Sequence, residues 1–104
     1  MKMYILVKRE VADKLVPVIT AHASLACFRK FESTPNMQVW INGIFKKVVC
    51  VVNETEFSNA KNEPDHVVLT ESAADNQEVC IAFSPREEYS KMFKFLKMWT
   101  PQNI

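Results

Sequence analysis

The first candidate for acid–base chemistry is His22, which lies in an otherwise apolar stretch with helical spacing. Histidine changes its charge near neutral pH, so it is the usual proton donor or acceptor in enzymes. The alternative is a core or interface histidine that only hydrogen-bonds locally. A second histidine, His66, opens a predicted strand after a turn and is a weaker candidate.

A second candidate site consists of polar side chains at the ends of two predicted strands. Lys8 and Arg9 follow the first apolar run. Thr70, Glu71 and Ser72 end or follow a later one. Open α/β sheets bind ligands in the crevice at the carboxyl ends of their strands. The sequence therefore predicts a rim of cations, hydroxyls and a carboxylate, with a solvated sheet edge as the alternative.

Composition excludes several other kinds of site. One glycine, Gly43, is too few for a glycine-rich phosphate loop, and no spacing typical of a metal site or a Ser/His/Asp triad stands out. Cys27, Cys50 and Cys80 are an odd number of distant thiols, which favours reduced cysteines and a cytoplasmic location. The formal net charge of +1 gives no global signal for nucleic-acid binding. We expect no metal, no cofactor and no membrane span.

Four strands and three helices are predicted to position these residues in a single domain, residues 1–104. The strands are expected at 3–7, 47–52, 66–70 and 78–83, and the helices at about 16–31, 54–62 and 86–99, with a loop from 32 to about 45. Ser84, Pro85 and Glu87 have the pattern of a capping box at the start of the last helix. The order β-α-β-α-β-β-α predicts a three-layer α/β/α fold with a mixed four-stranded sheet.

Several motifs occur along the chain in the order known from one family. Ala21-His22-Ala23-Ser24-Leu25-Ala26 looks like Gln-x-x-His-Ala-Ala-Leu, and Trp40 and Gly43 stand three residues apart before a lysine and an apolar strand. Val68-Leu69-Thr70-Glu71-Ser72 takes the place of a strand ending in Asp-Ala-Gly, and Cys80-Ile81-Ala82-Phe83-Ser84-Pro85 is similar to Leu-x-Ile-Gly-Pro. In this order, over nearly the whole chain, the motifs resemble the second family of peptidyl-tRNA hydrolases.

The resemblance implies an enzyme that cleaves the ester between a peptide and the terminal ribose of its tRNA. Such hydrolysis needs a positioned water and donors for the oxyanion, while cations hold the RNA phosphates. The residues that the resemblance places at the catalytic site are Lys14, His22 and Glu71. Those expected to bind peptidyl-tRNA are Lys8, Arg9, Lys47, Thr70 and Ser72. A homodimer is also implied, with Phe95 and Met98 of the predicted last helix as exposed apolar candidates for its interface.

Departures from the family's motifs leave two other functions open. The family's Lys-Gly-Lys pair would fall on Asp13 and Leu15, and its glutamine falls on Ile19. An Asp-to-Glu change moves a carboxylate by about 1.5 Å, and misplacements near 1 Å cost about a hundredfold in rate. The main alternative is therefore a catalytically silent binding or regulatory module on the same fold. A third is an unrelated α/β enzyme that acts on a small ligand.

Overall fold

A five-stranded mixed sheet lies at the centre of the chain in the computed structural model, which describes residues 1–102. The strands are β1 (Met3–Lys8), β2 (Lys47–Val52), β3 (His66–Glu71), β4 (Gln77–Phe83) and β5 (Lys97–Met98). Their order across the sheet is β3-β4-β1-β2-β5. β1 pairs in parallel with β2, and the other three pairings are antiparallel. The mixed α/β character is confirmed, but the sheet has five strands instead of the four predicted.

The first helix, α1 (Val16–Phe31), has the predicted bounds. Pro17 lies in its first turn, where a missing N–H costs no hydrogen bond. Ile19, Ala23 and Cys27 recur at four-residue intervals and are buried. The helix packs mainly across β1, β4 and β3, which leaves β2 largely uncovered by it.

A second helix, α2 (Pro35–Asn42), replaces the loop predicted from 32 to about 45. The Thr34 hydroxyl accepts a hydrogen bond from the Met37 N–H at 3.3 Å, and Pro35 stands at the start of the helix. Met37 and Trp40 are the buried side chains of this helix. Eight residues carry too little periodicity to show a helix in the sequence, so the Thr-Pro pair is the usable signal.

The third helix, α3 (Glu54–Ala60), begins with a reciprocal capping box. The Asn53 side-chain oxygen accepts from the Glu56 N–H, and the Glu56 carboxylate accepts from the Asn53 N–H, both at 2.8 Å. Phe57 anchors the helix in the core. Across residues 1–102, no helix has both the length and the apolar character that crossing a membrane requires.

The helix predicted at 86–99 is wrong. The chain instead passes through a 3-10 turn at Lys91–Phe95 and then forms β5. Phe93 packs on the rings of Tyr4, Phe83 and Tyr89 with centroid separations of 4.7 to 5.0 Å. The Tyr89 hydroxyl lies within 2.9 Å of two backbone oxygens, which fixes the segment that leaves β4.

Two physical reasons account for the missing helix. An apolar spacing of three, such as that of Phe93 and Leu96, is also compatible with a 3-10 turn, which has three residues per turn. Phe93 is the buried residue of that turn, and Leu96 follows it in an extended conformation. β2 would moreover present unpaired backbone groups along its outer edge if no strand followed. β5 pairs Met98 with Cys50 and Lys97 with Val51, and so satisfies part of that edge. The same segment that was predicted as the last helix therefore supplies the fifth strand of the sheet.

Two apolar clusters pack against β1, whose successive side chains point to opposite faces of the sheet. Met3, Ile5 and Val7 belong to the cluster that includes the buried residues of α1 and α2. Leu6 belongs to the second cluster, which contains Phe57 of α3. β1 thus contributes buried side chains to both clusters, as does β4.

All three cysteines are buried free thiols. Burial raises the pKa of Cys27 and Cys80 to about 12 and that of Cys50 to about 11. Thiols with such pKa values stay protonated at neutral pH and are poor nucleophiles. The cysteines therefore serve the core as small apolar side chains.

Candidate functional site

The carboxyl ends of β1, β2 and β3 lie at the same edge of the sheet, which we call the carboxyl edge. β1 and β3 run in the same direction because each is antiparallel to β4, which lies between them. Lys8 at the end of β1 and Thr70 and Glu71 at the end of β3 therefore share this edge. The Arg9 N–H donates to the Val52 oxygen at 2.9 Å, which holds the β1 and β2 ends together.

Lys8 is already engaged by neighbouring side chains. Its ammonium lies 3.3 Å from the Glu54 carboxylate and 4.4 Å from the centre of the Phe57 ring. The Lys8 side chain is only 17% exposed, whereas that of Glu54 is 70% exposed. The charge that the sequence offered for phosphate binding is therefore matched by a carboxylate within the chain.

A small cavity of about 250 Å³ opens beside Lys8 at the carboxyl edge. Its charged lining residues are Lys8 and three carboxylates, those of Glu10, Glu54 and Glu78. Lys61 forms an ion pair with Glu78 just outside the lining. An excess of negative charge at this cavity opposes the approach of an RNA phosphate.

Glu71 and its neighbours form a local turn. One Glu71 carboxylate oxygen accepts a hydrogen bond from the Ala73 N–H at 3.4 Å, at the start of a 3-10 turn covering Ser72–Ala74. Thr70 and Ser72 are exposed. Lys14 is also exposed, in the 3-10 turn Asp13–Leu15 that precedes α1. No contact among the described residues joins Glu71 to a cation or to a histidine.

Two of the predicted site residues do not join the carboxyl edge. His22 is exposed on α1, six residues or about 9 Å along the helix from its start. Lys47 opens β2 opposite Met3, while Lys8 lies opposite Val52. Five residues of strand, about 16 Å, therefore separate the level of Lys47 from that of Lys8.

A groove that the sequence analysis missed lies over β2, between α1 and the segment that follows α2. We call it the α1–α2 groove. Its volume is about 480 Å³, within the range of about 300–1,000 Å³ typical of ligand pockets. The residues that define its floor and walls are Ile5, Leu25, Phe28, Trp40, Phe45, Lys47 and Val49. The groove exists because α1 leaves β2 uncovered and α2 stands across the gap.

The sequence contained one signal for this groove. Pro17, Ala21, Ser24, Leu25 and Phe28 recur at helical spacing on α1 and line the groove together. This second small and apolar face is distinct from the buried face of the helix. His22 is absent from the lining, since a rotation of about 100° per residue turns it away.

An aromatic and cationic group forms the mouth of the groove. The Lys47 ammonium donates to the Phe45 oxygen at 3.1 Å and lies 4.5 Å from the Phe45 ring centre and 5.2 Å from that of Trp40. The indole N–H of Trp40 donates to the Lys46 oxygen at 2.8 Å. Phe45 has a φ of 37°, a backbone conformation that bulky residues rarely adopt.

The backbone of Phe45 is therefore strained, and strain of this kind clusters at ligand-binding segments. The same residue is 49% exposed although it is a large apolar side chain. Leu25, on the opposite wall, is 60% exposed. The apolar walls of the groove thus remain open to water.

Among residues 1–102, no group of three or more His, Cys, Asp or Glu side chains is placed so that it could hold a metal ion. The chain matches no protein-family model, and no curated protein sequence is significantly similar to it.

Proposed function

We propose that this chain is a non-catalytic binding module that holds a small apolar ligand in the α1–α2 groove. The observation that carries the proposal is a groove of about 480 Å³ whose lining is mostly apolar. A site of this size with few polar groups is the usual form of a small-molecule pocket. At the carboxyl edge, by contrast, Lys8 is paired with Glu54, and the Glu71 carboxylate accepts a hydrogen bond from the Ala73 N–H.

The energetic support comes from the exposed walls. Leu25 and Phe45 keep 60% and 49% of their surfaces exposed, so an apolar ligand would remove both from water. Each buried methylene of a ligand contributes about 0.8 kcal/mol, or about a fourfold gain in affinity. A short alkyl chain can therefore reach measurable affinity without any polar contact.

Calorimetric titration with n-alcohols from pentanol to octanol tests this proposal. We expect saturable binding to one site, a gain of about fourfold for each added methylene, and a negative heat-capacity change. Constant affinity along the series, or no binding by octanol, would rule out an apolar site in the groove.

Peptidyl-tRNA hydrolysis is the second candidate function. What favours it is that Lys8, Arg9, Thr70 and Glu71 share the carboxyl edge, as the resemblance implies. Release of tRNA from a model peptidyl-tRNA, with an authentic hydrolase as the positive control, measures this activity. Lys14→Ala should then weaken tRNA binding and reduce its dependence on salt, because exposed lysines contribute through phosphate contacts.

We also propose an oligomeric state and a cellular compartment for this protein. We propose a homodimer in which Phe95 and Met98, exposed by 78% and 65%, contribute to the interface. Sedimentation that shows only monomer at tens of micromolar would contradict it. Three buried thiols accord with a reducing compartment such as the cytoplasm.

A further inference from the structure

We infer that the ligand of the α1–α2 groove is a small carboxylic acid with an apolar tail, whose carboxylate binds the Lys47 ammonium. This inference rests on the proposed function, because it names the chemistry of a ligand for the same groove. The charge of the groove lining supports it. Lys47 is the single charged side chain among the groove residues, all of which lie in the described part of the chain.

Lys47 also has no acidic partner within residues 1–102. The ion pairs found there join Lys8 with Glu54 and Lys61 with Glu78. The Lys47 ammonium uses one N–H on the Phe45 oxygen, and a lysine ammonium has three donors. Two donors therefore remain for an incoming acceptor. A negatively charged ligand supplies both the acceptor atoms and the missing countercharge.

Lys47 is an exposed residue, and two aromatic rings cover part of its side chain. The rings of Phe45 and Trp40 lie beside the ammonium and exclude water from one side of it. Electrostatic attraction increases where the local dielectric constant falls. The Thr20 hydroxyl, another polar group of the lining, donates to the Pro17 oxygen at 2.9 Å, so it offers no proton to the anion. Ser24 supplies the other hydroxyl of the lining, and because that group is neutral, Lys47 is the lining residue that sets the preference for charge.

The single cation also defines the size of the anionic group. RNA and other polyanions are held by many phosphate contacts spread over a surface. Here one ammonium stands at the end of an apolar groove, and Leu25 and Phe28 supply the apolar wall. One negative charge joined to one apolar tail matches this arrangement. A monocarboxylate with a short alkyl or aryl-alkyl tail is the simplest molecule of that kind.

Length-matched ligands separate the charge preference from apolar binding. Octanoate, 1-octanol and octylammonium each contain eight carbons and differ in the charge of the head group. The alkyl tail of octanoate is one methylene shorter than that of octanol, so a preference for octanoate does not come from its tail. In calorimetric titrations near neutral pH, we expect octanoate to bind about tenfold more tightly than octanol, as a charge-assisted hydrogen bond implies. Octylammonium should bind more weakly than octanol. Added salt should weaken octanoate binding and leave octanol binding nearly unchanged.

Two variants assign this preference to Lys47. Lys47→Gln should remove the tenfold preference for octanoate over octanol, read as the ratio of the two affinities within the same variant, and Lys47→Arg should retain that ratio. Lys46→Gln is the matched control, because Lys46 is an exposed neighbouring lysine outside the groove lining. If Lys47→Gln does not fold, the comparison of the three ligands on the unmodified chain still decides the charge preference.

The outcomes distinguish the two proposals. Equal binding of octanoate and octanol would overturn the carboxylate inference and leave the apolar groove intact. A charge preference that persists in Lys47→Gln would overturn the assignment to Lys47. If neither octanoate nor octanol binds, both the inference and the proposed function fail.

Discussion

The carboxyl edge and the α1–α2 groove differ in how far the chain satisfies its own side chains. At the edge, Lys8 pairs with Glu54, and the Glu71 carboxylate accepts from the Ala73 N–H. In the groove, Leu25 stays largely exposed and Lys47 has no acidic partner within residues 1–102. Groups that already have partners gain little from a ligand, whereas exposed apolar walls and an unpaired cation gain much.

This contrast teaches that residue type is a weak guide to a binding site. The edge concentrates the polar residues that a sequence reader selects, yet its cavity contains three carboxylates against one lysine. The groove is built mostly from residues that a reader assigns to the core. A site is therefore better recognised by what remains unsatisfied after folding than by the polarity of its residues.

The largest expected effect is a loss of ligand binding on replacing Leu25. Leu25→Glu should lower the affinity for octanol by about ten- to hundredfold, because it removes about 1.5–3 kcal/mol of apolar burial from the groove. Val18→Glu is the matched control, since Val18 is 49% exposed on the same helix but lies outside the groove lining. Similar losses of affinity in both variants, measured by calorimetry, would contradict ligand binding in the α1–α2 groove.

The elements of the fold that could be predicted from the sequence are those with long apolar patterns. Continuous apolar runs predicted β2 and β4, and the helical spacing of Ile19, Ala23 and Cys27 predicted α1. The last helix failed because Ser84-Pro85 has the pattern of a helix start. In the structure, Ser84 is buried and its N–H donates to the Asp65 oxygen, so it continues the β3–β4 pairing.

Only part of the candidate site could be predicted from the sequence. Strand ends are visible in a sequence, so the shared edge of Lys8, Thr70 and Glu71 could be predicted. The engagement of Lys8 by Glu54 could not, because it depends on where α3 packs. The groove depends on the gap between α1 and α2 and on the unusual backbone of Phe45, and neither follows from residue pattern.

A second prediction tests the claim that no thiol serves either region. Burial raises the pKa of Cys27 and Cys80 from 9.0 to about 12. The unfolded chain therefore loses these protons first, so stability is fully present below pH 9 and falls as the pH rises towards 12. Each thiol should lower the free energy of unfolding by roughly 1 kcal/mol per pH unit above 9.

Urea unfolding at pH 8, 9 and 10 measures this effect. Cys80→Ala should show a shallower fall than the unmodified chain, although its stability at pH 8 will also be lower. Rapid alkylation of the folded chain at pH 8 would contradict the assignment, because it would reveal a reactive thiolate.

A third prediction concerns the ion pair at the carboxyl edge. A double-mutant cycle on Lys8→Met and Glu54→Gln should give a coupling energy below about 1 kcal/mol, because Glu54 is mostly exposed and water screens the pair. Lys8→Met should keep the packing on Phe57 and so cost little. Adding 0.5 M salt during urea unfolding should reduce the coupling further. A coupling of several kcal/mol would mean that the edge is far less solvated than the structure indicates.

The smallest expected effect belongs to Glu71. Glu71→Ala removes a weak 3.4 Å hydrogen bond from a short turn, so the free energy of unfolding should fall by about 0.5 kcal/mol. Ligand binding in the groove should not change. The same variant also tests the second candidate function. If the unmodified chain releases tRNA from peptidyl-tRNA and Glu71→Ala abolishes that release, the carboxyl edge is catalytic and the comparison reverses.

A map of ligand contacts by NMR distinguishes binding in the α1–α2 groove from binding at the carboxyl edge. Methyl groups of Ile5, Leu25 and Val49 line the groove, whereas Val79 lines the cavity at the carboxyl edge and serves as an internal reference. During titration with octanoate, we predict saturable shift changes for the three groove residues and none for Val79. Changes confined to Val79 and its neighbours, or no saturable change at any methyl group, would contradict a binding site in the α1–α2 groove.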